Sequence, residues 1–301
     1  VFYRLLLALV FLLPCSAAFA YDGNDESEEE FVDDEIDGIT EFKNKFLIRF
    51  LCNYNFVSFW SSENHQRTLL SNRPVDVGLG FGYKDFYWDF LYALPFTTGT
   101  ASKSVAFEIG FDFFPGNWWI EGEYRRYSGF NMNDTLTTYV DFRESDAYVS
   151  ALWMATAEGR FSPRVAYFLD RKQNESAGSA IVGGRIQNTR AVDHSETLDY
   201  YEDVRNIRSI WLDGGYSYTW IYDNDMFLNL WGVAGLAVFR WDDAEDVSFM
   251  PDVVGKMAWG YIGETWSWNC VMEAEYLPMV FDDHSEQKWI SAFKILVVRR
   301  F

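Results

Sequence analysis

Long hydrophobic runs are nearly absent from this chain. Past residue 20 the longest uninterrupted apolar stretch is about that of "WGVAGLAVF", Trp231 to Phe239. A membrane-crossing helix needs ~20 apolar residues, so a helical membrane protein is excluded. Basic residues are also few: 25 Lys and Arg stand against 45 Asp and Glu, a formal net charge of -20. Phosphate backbones are bound by basic surfaces, so nucleic acid is not an expected partner. Histidine and cysteine occur three times each, no spacing among possible ligands forms a metal motif, and no cofactor is expected.

What the chain has in quantity is aromatic side chains, 13 Trp, 18 Tyr and 27 Phe in 301 residues, at a mean hydropathy of only -0.16. Strands of ~9 to 11 residues with lipid-facing and lumen-facing positions in alternation, and aromatic girdles at both interfaces, have this composition. The N-terminal stretch "VFYRLLLALVFLLPCSAAFA" carries Arg4, an apolar run from Leu5 to Leu13 and a small-x-small site at Ala18 to Ala20, which reads as a secretory signal peptide over 1–20. Pro14 before Cys15 disfavours lipidation. Ten of the seventeen residues from Tyr21 to Asp37 are acidic and none is basic, so 21–41 reads as a solvated periplasmic tail. The barrel is then expected over 42–301.

Period-2 patterning begins at Phe46, with Phe46, Ile48, Phe50, Cys52, Tyr54 and Phe56 on one face and Arg49, Asn53 and Asn55 on the other. "VDVGLGFGYKDFYWDFLYAL" reads as a hairpin turning near Lys84-Asp85, with Asp76, glycines and Asp89 facing inward. The next hairpin turns at Pro115 to Asn117 and puts Glu108, Asp112, Glu121, Glu123 and Arg125 inward. Further strands place Asp213, Lys256, Glu273 and Glu275 on the same side. The expected lumen charges, Arg49 included, lean acidic, so an open lumen would favour cations. Tight connections near 84, 115, 224 and 264 alternate with long polar ones at 61–72, 130–145, 190–206 and 241–250, the two-rim pattern of a transmembrane barrel. Counting from both ends agrees at about twelve antiparallel strands, within a range of 10 to 14, if strands cover about 147–158 and 179–189. The segment 159–178 is then a long periplasmic connection or an inward plug. At fourteen, "TLTTYVDFR" and "SPRVAYFLD" would be strands too. With twelve strands, salt bridges and such a plug favour a closed or gated lumen over an open one.

The ending "SAFKILVVRRF" sets Phe293, Ile295, Val297 and Phe301 on one face. It resembles the C-terminal strand by which bacterial outer-membrane barrels are read by their insertion machinery, with Arg299 departing from the apolar residue usual there. "YRRYSGFN" (Tyr124–Asn131), Asp146, "FSPRVAYF" (Phe161–Phe168) and "KQNESAGS" (Lys172–Ser179) resemble the central block of an uncharacterised domain-of-unknown-function family of Gram-negative bacteria, with its Gln-x-x-Ser-Ala-Gly-Ser element. That resemblance implies an outer-membrane barrel among outer-membrane lipids and lipopolysaccharide. It implies no activity and no oligomeric state.

One candidate for chemistry is Ser176. It is a weak one, because a serine without a positioned base is a poor nucleophile. Asn174 stands where barrel lipid hydrolases place a histidine, and His65, His194 and His284 all fall in expected outer loops. The alternative is that the serines of this stretch cap local amides. His194 and His284, each beside an aspartate, read as solvated loop residues rather than a metal site or dyad. Cys52 and Cys270 fall on the lipid face of strands flanking the last strand. That puts them ~9 to 10 Å apart, too far for a disulfide. The sequence thus points to a non-enzymatic outer-membrane barrel, a narrow or plugged pore or an envelope component. Its alternatives are an outer-membrane lipid hydrolase and a secreted carbohydrate-binding β-sandwich.

Overall fold

The computed structural model describes residues 38–61, 68–71, 74–94, 105–132, 139–157, 159–193, 203–222, 225–241, 248–280 and 285–301. The leader 1–20, the tail as far as Asp37, and His65, His194 and His284 lie outside the described residues.

The strands in chain order are β1 (Ile39–Glu41), β2 (Phe46–Ser61), β3 (Thr68–Ser71), β4 (Val75–Tyr83), β5 (Phe86–Ala93), β6 (Val105–Phe113), β7 (Trp118–Met132) and β8 (Tyr139–Met154). A short helix α1 (Pro163–Tyr167) and β9 (Arg171–Gln173) follow. The second half is β10 (Ala177–Asp193), β11 (Asp203–Ile221), β12 (Met226–Trp241), β13 (Ser248–Ile262), β14 (Trp266–Val280) and β15 (Ser285–Arg300). Each wall strand pairs antiparallel with its neighbour, and β15 pairs with β2, from Glu286↔Ser61 to Arg300↔Leu47. The sheet therefore closes on itself without a free edge. The closed ring has twelve strands, β2, β4 to β8 and β10 to β15, and closure excludes the sandwich.

Side chains alternate across this wall as the period-2 pattern requires. Leu212, Ile186, Phe249, Val149 and Ile210 are among the most exposed large hydrophobics, Leu212 at 74%, while their strand neighbours Trp211, Ser209 and Ser150 are buried. An apolar exterior of this extent fits a lipid solvent rather than water. Aromatic pairs mark its rims: Trp118–Trp153 at 6.3 Å and Trp259–Trp268 at 5.1 Å near the tight turns, and Tyr276–Trp289 at 4.6 Å toward the other end. Arg299, the odd member of the Phe293, Ile295, Val297, Phe301 face, lays its guanidinium over the rings of Trp266 and Phe301 at 5.2 and 4.8 Å. Cation–π contact thereby keeps the charge at the interface.

Three features depart from the sequence expectations. First, the long connection expected at 61–72 contains β3, which pairs with β2 and also with β7. At that rim β3 lies directly between β2 and β7, above the ends of β5 and β6, so the ring narrows there. Strand β7 changes partner from β6 to β3 at a bulge between Ser128 and Phe130. Gly129 makes the bulge possible, because its φ of 84° is left-handed and costs glycine little. Second, β8 begins at Tyr139 rather than near 147, absorbing part of "TLTTYVDFR", whereas "SPRVAYFLD" forms α1 and its flanks. Fourteen strands are therefore excluded. Third, Ile39–Glu41, placed in the acidic tail by composition, form β1 and pair with β9.

Candidate functional site

The interior is built in two layers. The layer at the tight-turn rim is apolar. It forms around the segment between β8 and β10, which enters the lumen rather than hanging below it. Its helix starts in the usual way, with Ser162 as N-cap accepting from the Arg164 N–H at 3.3 Å and Pro163 in the first turn. Leu169, with φ of 58°, then turns the chain back.

Phe161, Val165, Ala166, Phe168 and Leu169 are all buried. They pack on inward residues of the wall, among them Leu47, Tyr87, Phe114, Trp119, Trp231 and Val298. Phe168 lies at the centre, its ring 4.7 Å from Tyr87, 4.9 Å from Phe114 and 5.7 Å from Trp119. Burying each of the four larger plug side chains contributes about 1.5–3 kcal/mol, so the segment is a packed core rather than a loose flap.

The orphan carbonyls at the end of a helix need donors, and here the wall supplies them. Asn269 Nδ2 donates to the Ala166 carbonyl at 2.6 Å, Arg49 Nη2 to Tyr167 at 3.3 Å, and Arg300 to Leu169. Tyr167 Oη donates to Asn229 Oδ1 at 2.7 Å, and Asn229 in turn donates to Ser217 and Thr219.

Arg164 is the main tether. Its guanidinium reaches Asp85 Oδ1 at 2.5 Å, the Lys84 carbonyl and Tyr87 Oη at 2.7 Å each, and the Asp170 carboxylate. Burial alone would weaken the charged form, but Asp170 and Tyr87 outweigh it and hold the Arg164 pKa above its ordinary value. Burial, with Glu273 adding to it, raises the Tyr167 phenol well above its usual range. The exit of the plug is held from outside the ring: β1 pairs with β9, Arg171 bridges Glu41 at 2.6 Å, and Lys172 bridges Asp225 at 2.7 Å.

Above this floor the interior is charged. Arg49 pairs with Asp89 at 3.0 Å, Arg125 with Glu123 at 2.7 Å, and Glu273 with both Lys256 and Lys294 at 3.1 and 3.0 Å. Arg185 bridges Asp252 and Glu275 at 3.1 and 3.2 Å. Asp76 accepts from Asn55, Asp112 from Trp119 Nε1 at 2.8 Å, and Glu121 from Tyr148 Oη at 3.0 Å. Asp213 sits with Asp252 over Gly235, where an added Cβ would come within 2.1 Å of its Oδ1. Glu108 faces a cavity of about 110 Å³ between the two layers, room for several water molecules. The same cavity is bordered by Arg49, Glu121, Lys256, Glu273 and Lys294. The glycine row of β4 shapes this wall: a Cβ at Gly80 would fall 1.8 Å from Asp89 Oδ1, so glycine there gives the Arg49–Asp89 pair its space.

Of the twelve charges expected in the lumen, Arg49, Asp89, Glu123, Arg125, Lys256, Glu273 and Glu275 stand in ion pairs. Sequence reading missed part of the network. Lys288, which bridges Glu144 at 2.6 Å, and Lys294 and Arg300 share the β15 face opposite Phe293 and Ile295, so alternation alone could have found them. Arg185 was equally legible on β10. Arg164 had no such signal, because its position depends on the plug.

Ser176 is exposed, and its Oγ accepts the Ile221 N–H at 2.9 Å. Asn174, two residues before it, exchanges hydrogen bonds with Thr40. Ser179 is buried and accepts from the Thr156 N–H at 3.1 Å. Both serines serve backbone amides. Cys52 and Cys270 are free thiols, and both stand opposite Ile295 of the strand between them. Among the described residues no three His, Cys, Asp or Glu side chains are grouped to hold a metal ion.

The profile of a family described as Domain of unknown function (DUF4421) matches residues 35–283. No curated protein matches the chain. Among solved structures it is similar to OmpT, an outer-membrane protein of Vibrio cholerae, at 8% identity, covering 86% of this chain and 98% of that one, with a TM-score of 0.34. It is also similar to the translocator domain of the autotransporter NalP from Neisseria meningitidis, at 10% identity, covering 85% and 88%, with a TM-score of 0.45.

Proposed function

The chain belongs to the family described as Domain of unknown function (DUF4421), and we propose that it is a bacterial outer-membrane barrel closed by its own inward segment, a gated narrow pore rather than an enzyme. The observation that carries this reading is the seat of 159–176: a helix packed into an aromatic floor, with its carbonyls met by wall donors and Arg164 clasped at the rim. A connection that served only to join two strands would not require that fit.

The apolar exterior between aromatic rims supports residence in the outer membrane among its lipids and lipopolysaccharide. The face of Phe293, Ile295, Val297 and Phe301 supports recognition by the insertion machinery. Residues around the cavity are acidic in surplus, with Asp89, Glu108, Asp112, Glu121, Glu123 and Glu273 set against Arg49, Lys256 and Lys294. Cations are therefore the solutes that an opened lumen would favour. The bond from the Ile221 N–H to Ser176 Oγ, with Asn174 rather than a histidine two residues before it, supports this reading over the lipid-hydrolase alternative.

The test is single-channel recording in planar bilayers with the refolded chain and with a variant whose residues 160–172 are replaced by a short Gly-Ser linker. The wild type is expected to be silent or to conduct rarely, and the variant to conduct steadily with cation preference. A variant that stays silent while folded as a barrel would contradict the pore.

A further inference from the structure

We propose that the cavity between the aromatic floor and the charged layer binds a small aliphatic ammonium ion. This deepens the reading of the barrel as a gated, cation-preferring pore, on which it rests, by naming the class of cation that the lumen takes.

Among the described residues, three carboxylates on this cavity stand in no ion pair. Glu108 and Asp112 lie on β6 with Gly110 midway between them, and Glu121 of β7 is directly opposite Asp112. All four residues border the cavity. Like charges placed directly opposite each other destabilise a sheet. Asp112 accepts from Trp119 Nε1, and Glu121 accepts from Tyr148 Oη and Ser150 Oγ, so their donors are neutral. Neither a hydrogen bond nor an ion pair reaches Glu108 among the described residues. The nearby cations are committed elsewhere: Arg49 to Asp89, Arg125 to Glu123, and both Lys256 and Lys294 to Glu273.

Two amide oxygens, independent of these charges, point to a ligand as well. Asn53 and Asn269 also border the cavity and are 2% and 0% exposed. The Oδ1 of each has no hydrogen-bond partner, although Asn269 spends its Nδ2 on the Ala166 carbonyl. Buried polar oxygens are nearly always met by a donor. The cavity therefore holds acceptors in excess and is short of donors.

The rest of the lining sets the kind of donor. It includes Leu51, Leu296, Trp119 and Phe168, which belong to the apolar floor or pack against it. A metal ion gains nothing from such a surface, and among the described residues no three His, Cys, Asp or Glu side chains converge as its ligands would. An alkylammonium brings three N–H donors and a positive charge at one end and an apolar stem at the other. The volume of about 110 Å³ has room for several water molecules, and hence for a stem of a few carbons. Gly110 keeps the wall open there, since an added Cβ would meet nothing nearer than Asp89 Cβ, at 3.9 Å.

The probe is n-butylammonium, with 1-butanol as its uncharged isostere and potassium as an inorganic cation. The full-length barrel is refolded in a non-ionic detergent with each ligand present, and binding is measured by equilibrium dialysis of the labelled compound. The wild type is expected to bind n-butylammonium about tenfold or more tightly than 1-butanol, and to retain it in excess potassium chloride. E108Q is expected to weaken amine binding about tenfold and D112N about threefold, with 1-butanol unaffected. If E108Q does not refold, D112N carries the test. Equal binding of amine and alcohol would overturn the proposal, as would displacement of the amine by potassium or undiminished binding in the variants. The pore itself stands or falls on a different result, the potassium conductance of the linker variant measured without amine.

Discussion

Arg164 of the plug and Asp85 of the turn between β4 and β5 are joined by an ion pair of 2.5 Å, although 79 positions separate them in sequence. The same guanidinium holds Asp170 within the plug and donates to the Lys84 carbonyl. One side chain therefore fixes the fold of the plug and its attachment to the wall.

Replacing Arg164 removes that junction and leaves Asp170, at 8% side-chain exposure, without its counter-charge. Breaking a buried pair from one side costs about 3–5 kcal/mol, and R164A is expected to lose roughly 3 kcal/mol of stability, since Asp85 keeps access to solvent. R164K, which keeps the charge but not the fork, should fall between R164A and wild type. Guanidinium unfolding in detergent micelles, followed by tryptophan fluorescence, measures both. A loss below about 1 kcal/mol for R164A would show that the aromatic floor alone retains the plug.

Ser176→Ala is expected to be nearly silent. The hydroxyl caps one exposed amide, that of Ile221, and a bond of that kind contributes about 1 kcal/mol or less. Lipid hydrolysis by purified protein, if present at all, should be unchanged in the variant. An activity that disappears with Ser176→Ala would revive the hydrolase.

Cys52 and Cys270 share Ile295 as cross-strand neighbour, so two strand spacings, ~9.5 Å, separate them. Gel mobility of the folded chain should therefore be the same with and without reductant, and both thiols should react with a membrane-permeant maleimide. A mobility shift on reduction would contradict this register.

The β1–β9 clamp should respond to acid. Burial works to raise the Glu41 pKa, but its Lys45 hydrogen bond and the nearby Arg171 outweigh burial and leave it below the ordinary glutamate value. A carboxylate whose folded pKa is depressed contributes stability above its unfolded pKa and loses it as pH falls through the folded one. A spin label at Thr40, in a C52S/C270S background, is expected to stay immobile near neutrality and to gain mobility as pH drops below the glutamate range. Equal mobility across that window would assign the clamp to backbone pairing alone.

Much of this architecture was legible in the sequence because a barrel wall is written in period 2. Once Phe46, Ile48 and Phe50 are set outward, Arg49 between them follows inward, and the parity of tight and long connections makes the count even, with fourteen left open beside twelve until β8 and α1 are seen. Legibility ended where structure depends on contacts rather than alternation. Nothing in "SPRVAYFLD" says that Phe168 will lie among Tyr87, Phe114 and Trp119, because those rings come from three distant strands. Likewise, β3 joins β7 only because Gly129 lets β7 change partner. The acidity around Ile39–Glu41 concealed a strand, because its partner β9 and the Arg171 counter-charge come from far along the chain.

The central claim is that 159–176 closes the lumen, and single-channel conductance of the variant with residues 160–172 replaced by a Gly-Ser linker tests it most directly. The predicted result is steady, cation-preferring conductance from a barrel that remains heat-modifiable, against silence or rare openings in the wild type. Equal conductance of the two proteins, whether both open or both closed, would contradict it.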